Sequence, residues 1–420
     1  SPSLMSLKLR SKNDWGRLDM TYEWNHSTIN DVCVLVTDGS HSSPKSVNDG
    51  KYMVSVKDFT DYGFDFASCR MISNDDYETL KRNGCVPQID DILIGKDGAR
   101  FFEDIIIYRQ KEKPALLSSI AILRCDKSKI LPDFLYYVLR TPSFRQDVKD
   151  NYGSGSAIPR IILKDFKRMM VSYPSLEKQQ AIISVLTAID SKIQANTEIN
   201  DNLEQQAQSY FQELFVDNAS PEWTTGTISD LGTVVGGSTP SKAKPEYYTE
   251  SGIAWITPKD LSINKSKFVS HGENDITELG LRNSSASLMP EGTVLFSSRA
   301  PIGYIAIAAG EVTTNQGFKS VVPKPEIGTP FAYFFLKNTL PVIEGMASGS
   351  TFKEVSGSTM KNVPAVIPDA EILAKFSDFC APIFAQQRTL EEQNQSLAKL
   401  RDSLLPKLMS GEIDVSAVHL

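Results

Sequence analysis

The chain has 420 residues, of which 41% are hydrophobic and 23% charged, with a formal net charge of −7. That length allows two domains with proper cores, and the balance is ordinary for a globular protein. No run approaches the ~20 apolar residues of a membrane span and no signal-peptide pattern is visible, so no membrane partner is expected.

The five cysteines, at 33, 69, 85, 125 and 380, form no CxxC pair and are odd in number, which predicts a reduced, cytoplasmic protein. Charge is uneven: residues 1–176 carry +2, 177–215 carry −4, 216–370 carry −3 and 371–420 carry −2. A highly basic, self-sufficient binder of nucleic acid is therefore excluded. If the chain reads DNA, another protein has to neutralise much of the backbone.

The opening SPSLMSLKLR does not begin with Met, so 1–19 is expected to be a leader or an expression remnant, with Met5 a candidate native start. From Glu23, EWNHSTINDVCVLVTDGSHSSP begins a unit that returns from Glu222 as EWTTGTISDLGTVVGGSTP. Each reads as Trp, a short polar turn, a small apolar strand and a Gly/Ser/Pro loop. YMVSVKDF at 52–59 then resembles IAWITPKDL at 253–261, and QIDDILIGKDGA at 88–99 corresponds to EGTVLFSSRAPIG at 291–303. Short β-branched runs between glycines predict a mixed or antiparallel sheet in each unit.

LSSIAILRC at 117–125 and TNQGFKSVV at 314–322 read as buried strands. Phe134, Tyr136, Tyr137 and Leu139 recur as Phe331, Tyr333, Phe334 and Leu336 on expected helices. Core packing is the plain reading of these aromatics, and base stacking is the other. The loops SGSAIP at 154–159 and SGSTFK at 348–353 carry Gly155 and Gly349, which serve either a phosphate-facing backbone or a tight turn.

The stretch 177–215 returns after a shift of 194 residues, from Glu177 to Glu371. Ile182, Leu186, Ile189, Ile193, Asn196, Asn200, Leu203, Ala207, Tyr210 and Leu214 step by fours and threes. Phe376, Cys380, Ile383, Gln387, Leu390, Asn394, Leu397, Arg401, Leu404 and Leu408 do the same in the second copy. This spacing predicts two long helices with a narrow apolar seam. Pro174 and Pro368 end the preceding segments, and Ser175 or Asp369 can cap each helix. At ~1.5 Å per residue each helix would be about 58 Å long. The expected fold is α+β: two similar mixed α/β domains joined by an antiparallel two-helix coiled coil with pseudo-twofold symmetry. Two independent docking helices are the alternative.

Catalytic signatures are missing from the sequence. There is no GxxxxGK[ST], no HExxH and no His/Cys cluster with metal spacing; His26, His41, His271 and His419 are scattered. Asp75–Asp76 and Asp90–Asp91 read as solvated charge beside strands or turns. A non-catalytic chain is expected, without cofactor or metal of its own.

Together, YPSLEKQQAI at 173–182, SLLPKLMSGEI at 403–413 and the twofold domain-plus-helix plan resemble the specificity (S) subunit of type I restriction–modification systems. The resemblance covers essentially residues 23–413. It implies two target-recognition domains, at about 20–175 and 216–369, that together read a bipartite asymmetric duplex DNA sequence. It implies spacer helices at 176–215 and 370–411, followed by a tail at 412–420. It further implies two modification (M) subunits that bind S-adenosylmethionine and methylate adenine N6, and restriction (R) subunits using ATP and Mg. The first helix copy ends QSYFQELF where the second ends DSLLPKLM, so the two docks need not be equivalent.

Base-reading residues do not follow from the resemblance, and side-chain chemistry supplies the candidates. Lys57 and Lys259 occupy matching places beside strands, and Lys96 and Arg299 lie in matching loops. Arg100, Arg282, Asn315, Gln316 and Lys319 complete the set. Arg and Lys donate to guanine O6/N7, while Asn and Gln pair bidentately with adenine. A solvent-facing role stands beside each assignment, and Lys57 and Lys259 can equally be paired with their neighbouring aspartates. Ile182, Leu186, Ile189, Ile193, Leu203, Ile383, Leu390, Leu397, Leu404 and Leu408 are the expected seam and docking framework. A protein scaffold that does not read DNA is the first alternative function, and a stand-alone hydrolase with a spatially assembled site is the second.

Overall fold

The computed structural model describes residues 24–98, 100–153, 160–349 and 353–415. The leader at 1–19, Glu23, the loop at 154–159 with Gly155, and residues 416–420 of the tail lie outside these. The chain forms two compact units, Ser1–Ser191 with Leu397–Leu420, and Lys192–Ser396. Each unit thus contains part of both long helices.

In the first unit, Asn25–Thr28 pairs antiparallel with Met170–Tyr173, the strand that leads into the first long helix. The start and end of the domain therefore lie side by side. The expected polar turn after Trp24 is this strand followed by one helical turn, Ile29–Val32. Thr28 and Asp31 close a reciprocal capping box around that turn, satisfying backbone donors that a short helix leaves open. The main sheet runs in the order Cys33–Asp38, Ile120–Cys125, Ile92–Gly95, Ile105–Ile107, all antiparallel. Its strands are Ile- and Leu-rich, and Ile92, Leu93, Ile94, Ile120, Ile122 and Leu123 are fully buried. A second sheet, Arg70–Ile72, Lys51–Val54, Ala115–Leu116, includes one parallel pairing.

The second unit repeats the plan. Thr224–Thr227 pairs with Pro364–Ile367, and Thr227 and Asp230 box the turn Ile228–Leu231. The main sheet runs Gly232–Gly236, Lys319–Pro323, Val294–Ser298, Ile302–Ala308, Phe268–Val269, the last pair parallel. Tyr248–Thr249, Asp275–Ile276, Ile253–Ile256 and Val312–Thr314 form the companion sheet, again ending in a parallel pair. The first unit thus pairs an antiparallel sheet with a mixed one and the second has two mixed sheets, within the mixed or antiparallel arrangement that the short β-branched runs predict. The aromatics of Pro132–Arg140 and Thr329–Met346 face inward: Phe134, Tyr137, Phe331 and Phe334 are at most 2% exposed.

The long helices span Leu176–Gln212 and Ala370–Met409. In the first unit Ile182 and Leu186 share a core with Leu405 and Leu408. In the second, Ala207 and Phe211 share one with Phe376, Cys380 and Ile383. Numbers rise along one helix as they fall along the other, so within each unit the helices run antiparallel. The QSYFQELF ending has a packing reason: Phe215 lies 4.8 Å from Phe331 and 5.2 Å from Phe376, between ring centroids. There the first helix passes into the wider turn Glu213–Asp217.

The seam itself departs from the expectation of a narrow apolar stripe. Ile182, Leu186, Ile383, Leu390 and Leu408 are buried, but Ile189, Ile193, Leu203, Leu397 and Leu404 are only half-buried. At the second helix's far end, Leu405 takes the buried place beside Leu404. Asn196 is fully buried, and its amide donates to Asn394 Oδ1 at 2.9 Å. The Asn394 amide donates in turn to the Ile193 carbonyl at 3.3 Å, and buried Gln387 donates to the Asn200 carbonyl, also at 3.3 Å. The positions step as a seam should, but polar pairs fill its middle and specify which residues face each other.

Candidate nucleic-acid interface

The second unit gathers four expected residues. Val294–Ser298 ends in a turn carrying Arg299, and Val312–Thr314 and Lys319–Pro323 flank a turn carrying Asn315 and Gln316. The Gly237-Ser238-Thr239 loop rests on that second turn. Ser238 N–H donates to the Thr314 carbonyl at 2.9 Å, and the Thr239 hydroxyl bonds the Gln316 side chain. A Cβ at Gly237 would lie 2.0 Å from the Asn315 carbonyl oxygen, so this approach requires glycine. Asn315 Oδ1 accepts the Gly317 N–H at 2.9 Å and holds the turn from within.

Glu354 ties the cations together. Its backbone bridges Arg299 and Ser348, and its carboxylate lies 3.7 Å from Arg299 Nη1 and 4.0 Å from Lys319 Nζ. Lys319 is largely buried along its stem, beside Gly236 and Gly357, and its ammonium also donates to the Gln316 carbonyl at 3.4 Å. Burial lowers the Lys319 ammonium from its ordinary range; Glu354 opposes that shift and Arg299 adds to it. Gly349, one residue past Ser348, has φ +126°, a backbone conformation suited to a tight glycine turn.

Lys259 and Arg282 do not join this group through any side-chain bond among the described residues. Lys259 sits on Pro258–Ile263 and pairs with Glu273 at 2.6 Å, not with its neighbour Asp260. Asp260 is occupied by the capping box with Thr257. Arg282 is exposed in the last turn of Glu278–Arg282.

In the first unit Lys57 is exposed on the turn Val56–Asp58, whose Asp58 accepts the Ser55 N–H at 2.7 Å. Arg100 is exposed and paired with Asp104 at 2.7 Å. Lys96 departs from the expected exposed loop. It is 2% exposed, with its ammonium 3.4 Å from Asp38 and 3.8 Å from Asp97. The reason is positional: Lys96 N–H donates to the Ser119 carbonyl, and its own carbonyl accepts from Ile161 N–H, so the residue is locked into the strand edge.

Lys96 and Arg299 lie in equivalent loops of the two units but not at equivalent positions. Ser298 N–H donates to Gly317 as Lys96 N–H donates to Ser119, and Val355 N–H donates to Ser298 as Ile161 N–H donates to Lys96. Lys96 therefore matches Ser298, and Arg299 matches Asp97. The backbone bridge Arg299–Glu354 has its counterpart in Asp97–Arg160, where the charges are exchanged and the ions lie 3.4 Å apart. Asp97, Arg160 and Glu354 were absent from the expected set, because the contacts that unite them span about sixty residues of chain. The Asp90–Asp91 pair is also corrected: Asp91 is fully buried and accepts two bonds of 2.8 Å from Arg124, while Asp90 pairs with Arg109 and Lys127.

Among the described residues no group of three His, Cys, Asp or Glu side chains is placed to hold a metal ion. Nor is any described helix long and apolar enough to cross a membrane.

The comparisons with known proteins point one way. A family model described as "Type I restriction modification DNA specificity domain" matches residues 22–205 and again 221–398. The chain is 37% identical over 192 residues to the type I restriction enzyme MjaIX specificity subunit of Methanocaldococcus jannaschii, covering 45% of this chain and 44% of that subunit. That alignment thus spans less than half of the relative. Over 371 residues it is 24% identical to the HindI specificity subunit of Haemophilus influenzae, covering 70% of this chain and 80% of that one. Among solved structures, the type I S subunit from M. genitalium is similar in fold, with a TM-score of 0.54 at 17% identity, over 93% of this chain and 97% of that one.

Proposed function

The chain belongs to the type I restriction–modification DNA specificity family, and we propose that its two repeats each read one half of a bipartite, asymmetric duplex target. Sequence-specific DNA recognition is its role as a specificity subunit, and such subunits are non-catalytic. The observation that carries the two-half reading is the repetition of the whole domain plan within one chain, each copy matched by the family model. Repetition alone would give a symmetric target, but the equivalent turns carry opposite charges, Asp97 in one and Arg299 in the other. One turn offers an acceptor and the other a donor, which suits two different half-sites.

The recognition domains are assigned to 20–175 and 216–369, with 176–215 and 370–411 as the spacer helices. Arg299, Asn315, Gln316 and Lys319 are the base- or phosphate-facing group of the second domain. Lys57 and Arg100 serve the first, with Lys259 and Arg282 as outlying phosphate contacts. Two M subunits supply S-adenosylmethionine and adenine-N6 methylation, and R subunits, where present, supply ATP- and Mg-dependent cleavage. Mapping methylated adenines genome-wide, in cells with and without this chain, tests the assignment. A bipartite motif should vanish with the chain; an unchanged methylome would refute it.

A further inference from the structure

The Arg299–Glu354–Lys319 group contains a carboxylate where a phosphate-binding surface would be expected to exclude one. Lys319 is not a mobile surface cation. Its stem lies beside Gly236 and Gly357, and its ammonium is held between the Gln316 carbonyl and Glu354. Arg299 Nη1 lies 3.7 Å from the Glu354 carboxylate, and the Arg299 side chain is 38% exposed. Glu354 is fixed in turn by backbone bonds to Ser348, at 2.8 and 3.1 Å, while its neighbour Val355 donates to Ser298 at 2.9 Å. The Glu354 backbone is therefore held from both sides, and its carboxylate reaches towards Arg299 and Lys319.

The first unit supplies a second, independent instance. The same bridge joins Asp97 to Arg160, so an acid and a base face each other in both repeats although each has changed sides. An acid–base pair thus bridges the equivalent positions of each repeat.

We propose that Glu354 is a positioning residue for specificity: it holds Arg299 and Lys319 as fixed donors for a base edge and repels phosphate from them. This rests on the reading of the second unit as a DNA-recognition domain. A preorganised donor loses less freedom on binding its target, and a nearby negative charge penalises any register that puts phosphate there. The chemistry selected is a pair of acceptors such as guanine O6 and N7.

The test uses the full chain assembled with its modification subunits, titrated with a cognate duplex and one whose second half-site is scrambled, at several salt concentrations. Glu354→Gln should raise affinity for the scrambled duplex about three- to tenfold and leave cognate affinity equal or lower. Its salt slope on the scrambled duplex should steepen by about 0.9 per phosphate newly contacted. An unchanged ratio of cognate to scrambled affinity would overturn the proposal. Arg299→Gln and Lys319→Gln separate the two layers. If both leave cognate binding unaltered, the DNA-reading assignment of this turn is wrong. If they weaken it while Glu354→Gln changes nothing, only the role of Glu354 falls.

Discussion

Lys267 sits under three aromatic rings, its ammonium 3.6 Å from the centroid of Phe384, 4.5 Å from Tyr333 and 5.0 Å from Phe334. It bonds Glu204 at 2.7 Å and Gln387 at 3.0 Å, and Lys337 reaches the other oxygen of Glu204 at 2.6 Å. Burial pushes the Glu204 carboxyl up, but the two ammoniums outweigh it and bring it down to about 2. Burial lowers Lys267, Glu204 pulls it back, and it settles at about 8. Because the Glu204 value lies below the ordinary 4.5, its stabilisation is fully present above pH 4.5 and is lost as pH falls towards 2. Glu391 nearby is raised by burial, so its own effect falls above that window. Glu204→Gln should destabilise the protein at pH 7 by about 3 kcal/mol, with the difference from wild type shrinking below pH 4.5. Denaturant melts across pH check this; a difference that stays constant down to pH 2.5 would mean that Glu204 is not held charged.

Along the long helices, burial and polarity alternate in a way that spacing alone does not reveal. Leu186 is fully enclosed, whereas Ile193 is half-buried next to the Asn196–Asn394 pair. Leu186→Ala should therefore cost about 3 kcal/mol and Ile193→Ala about 1 kcal/mol, since the cost follows the cavity left behind. Equal losses in urea melts would show that the seam is uniform after all. The long helices, the short turns that follow Trp24 and Trp223 and the buried strands were legible because each depends on neighbours within a few residues. Lys96, Asp91 and Glu354 were not. Their surroundings are fixed by Asp38, Arg124 and Arg299, each over thirty residues away, and only the folded sheet brings them together. Arg299, Asn315 and Gln316 were legible as polar residues in turns, while the carboxylate that Arg299 shares with Lys319 was not.

The whole chain carries a net charge of −7, which opposes a phosphate polyanion before any specific contact forms. Phosphate contacts supply much of the affinity in protein–DNA complexes, and the more of them there are, the more steeply binding falls with salt. The isolated chain should consequently bind duplex weakly and with little selectivity. Adding modification subunits should raise both affinity and the slope of log affinity against log salt. Filter or anisotropy titrations at several salt concentrations decide this; equal affinity and slope with and without the partners would make the chain a complete binder by itself.

Each repeated domain has its own sheets, its own turn chemistry and its own paired first and last strands, so the two should read their half-sites independently. Replacing residues 20–175 with the corresponding domain of a related specificity subunit and sequencing the methylome decides this. One half of the methylated sequence should change while the other stays as it was. A change in both halves, with the hybrid still folded and assembled, would contradict it.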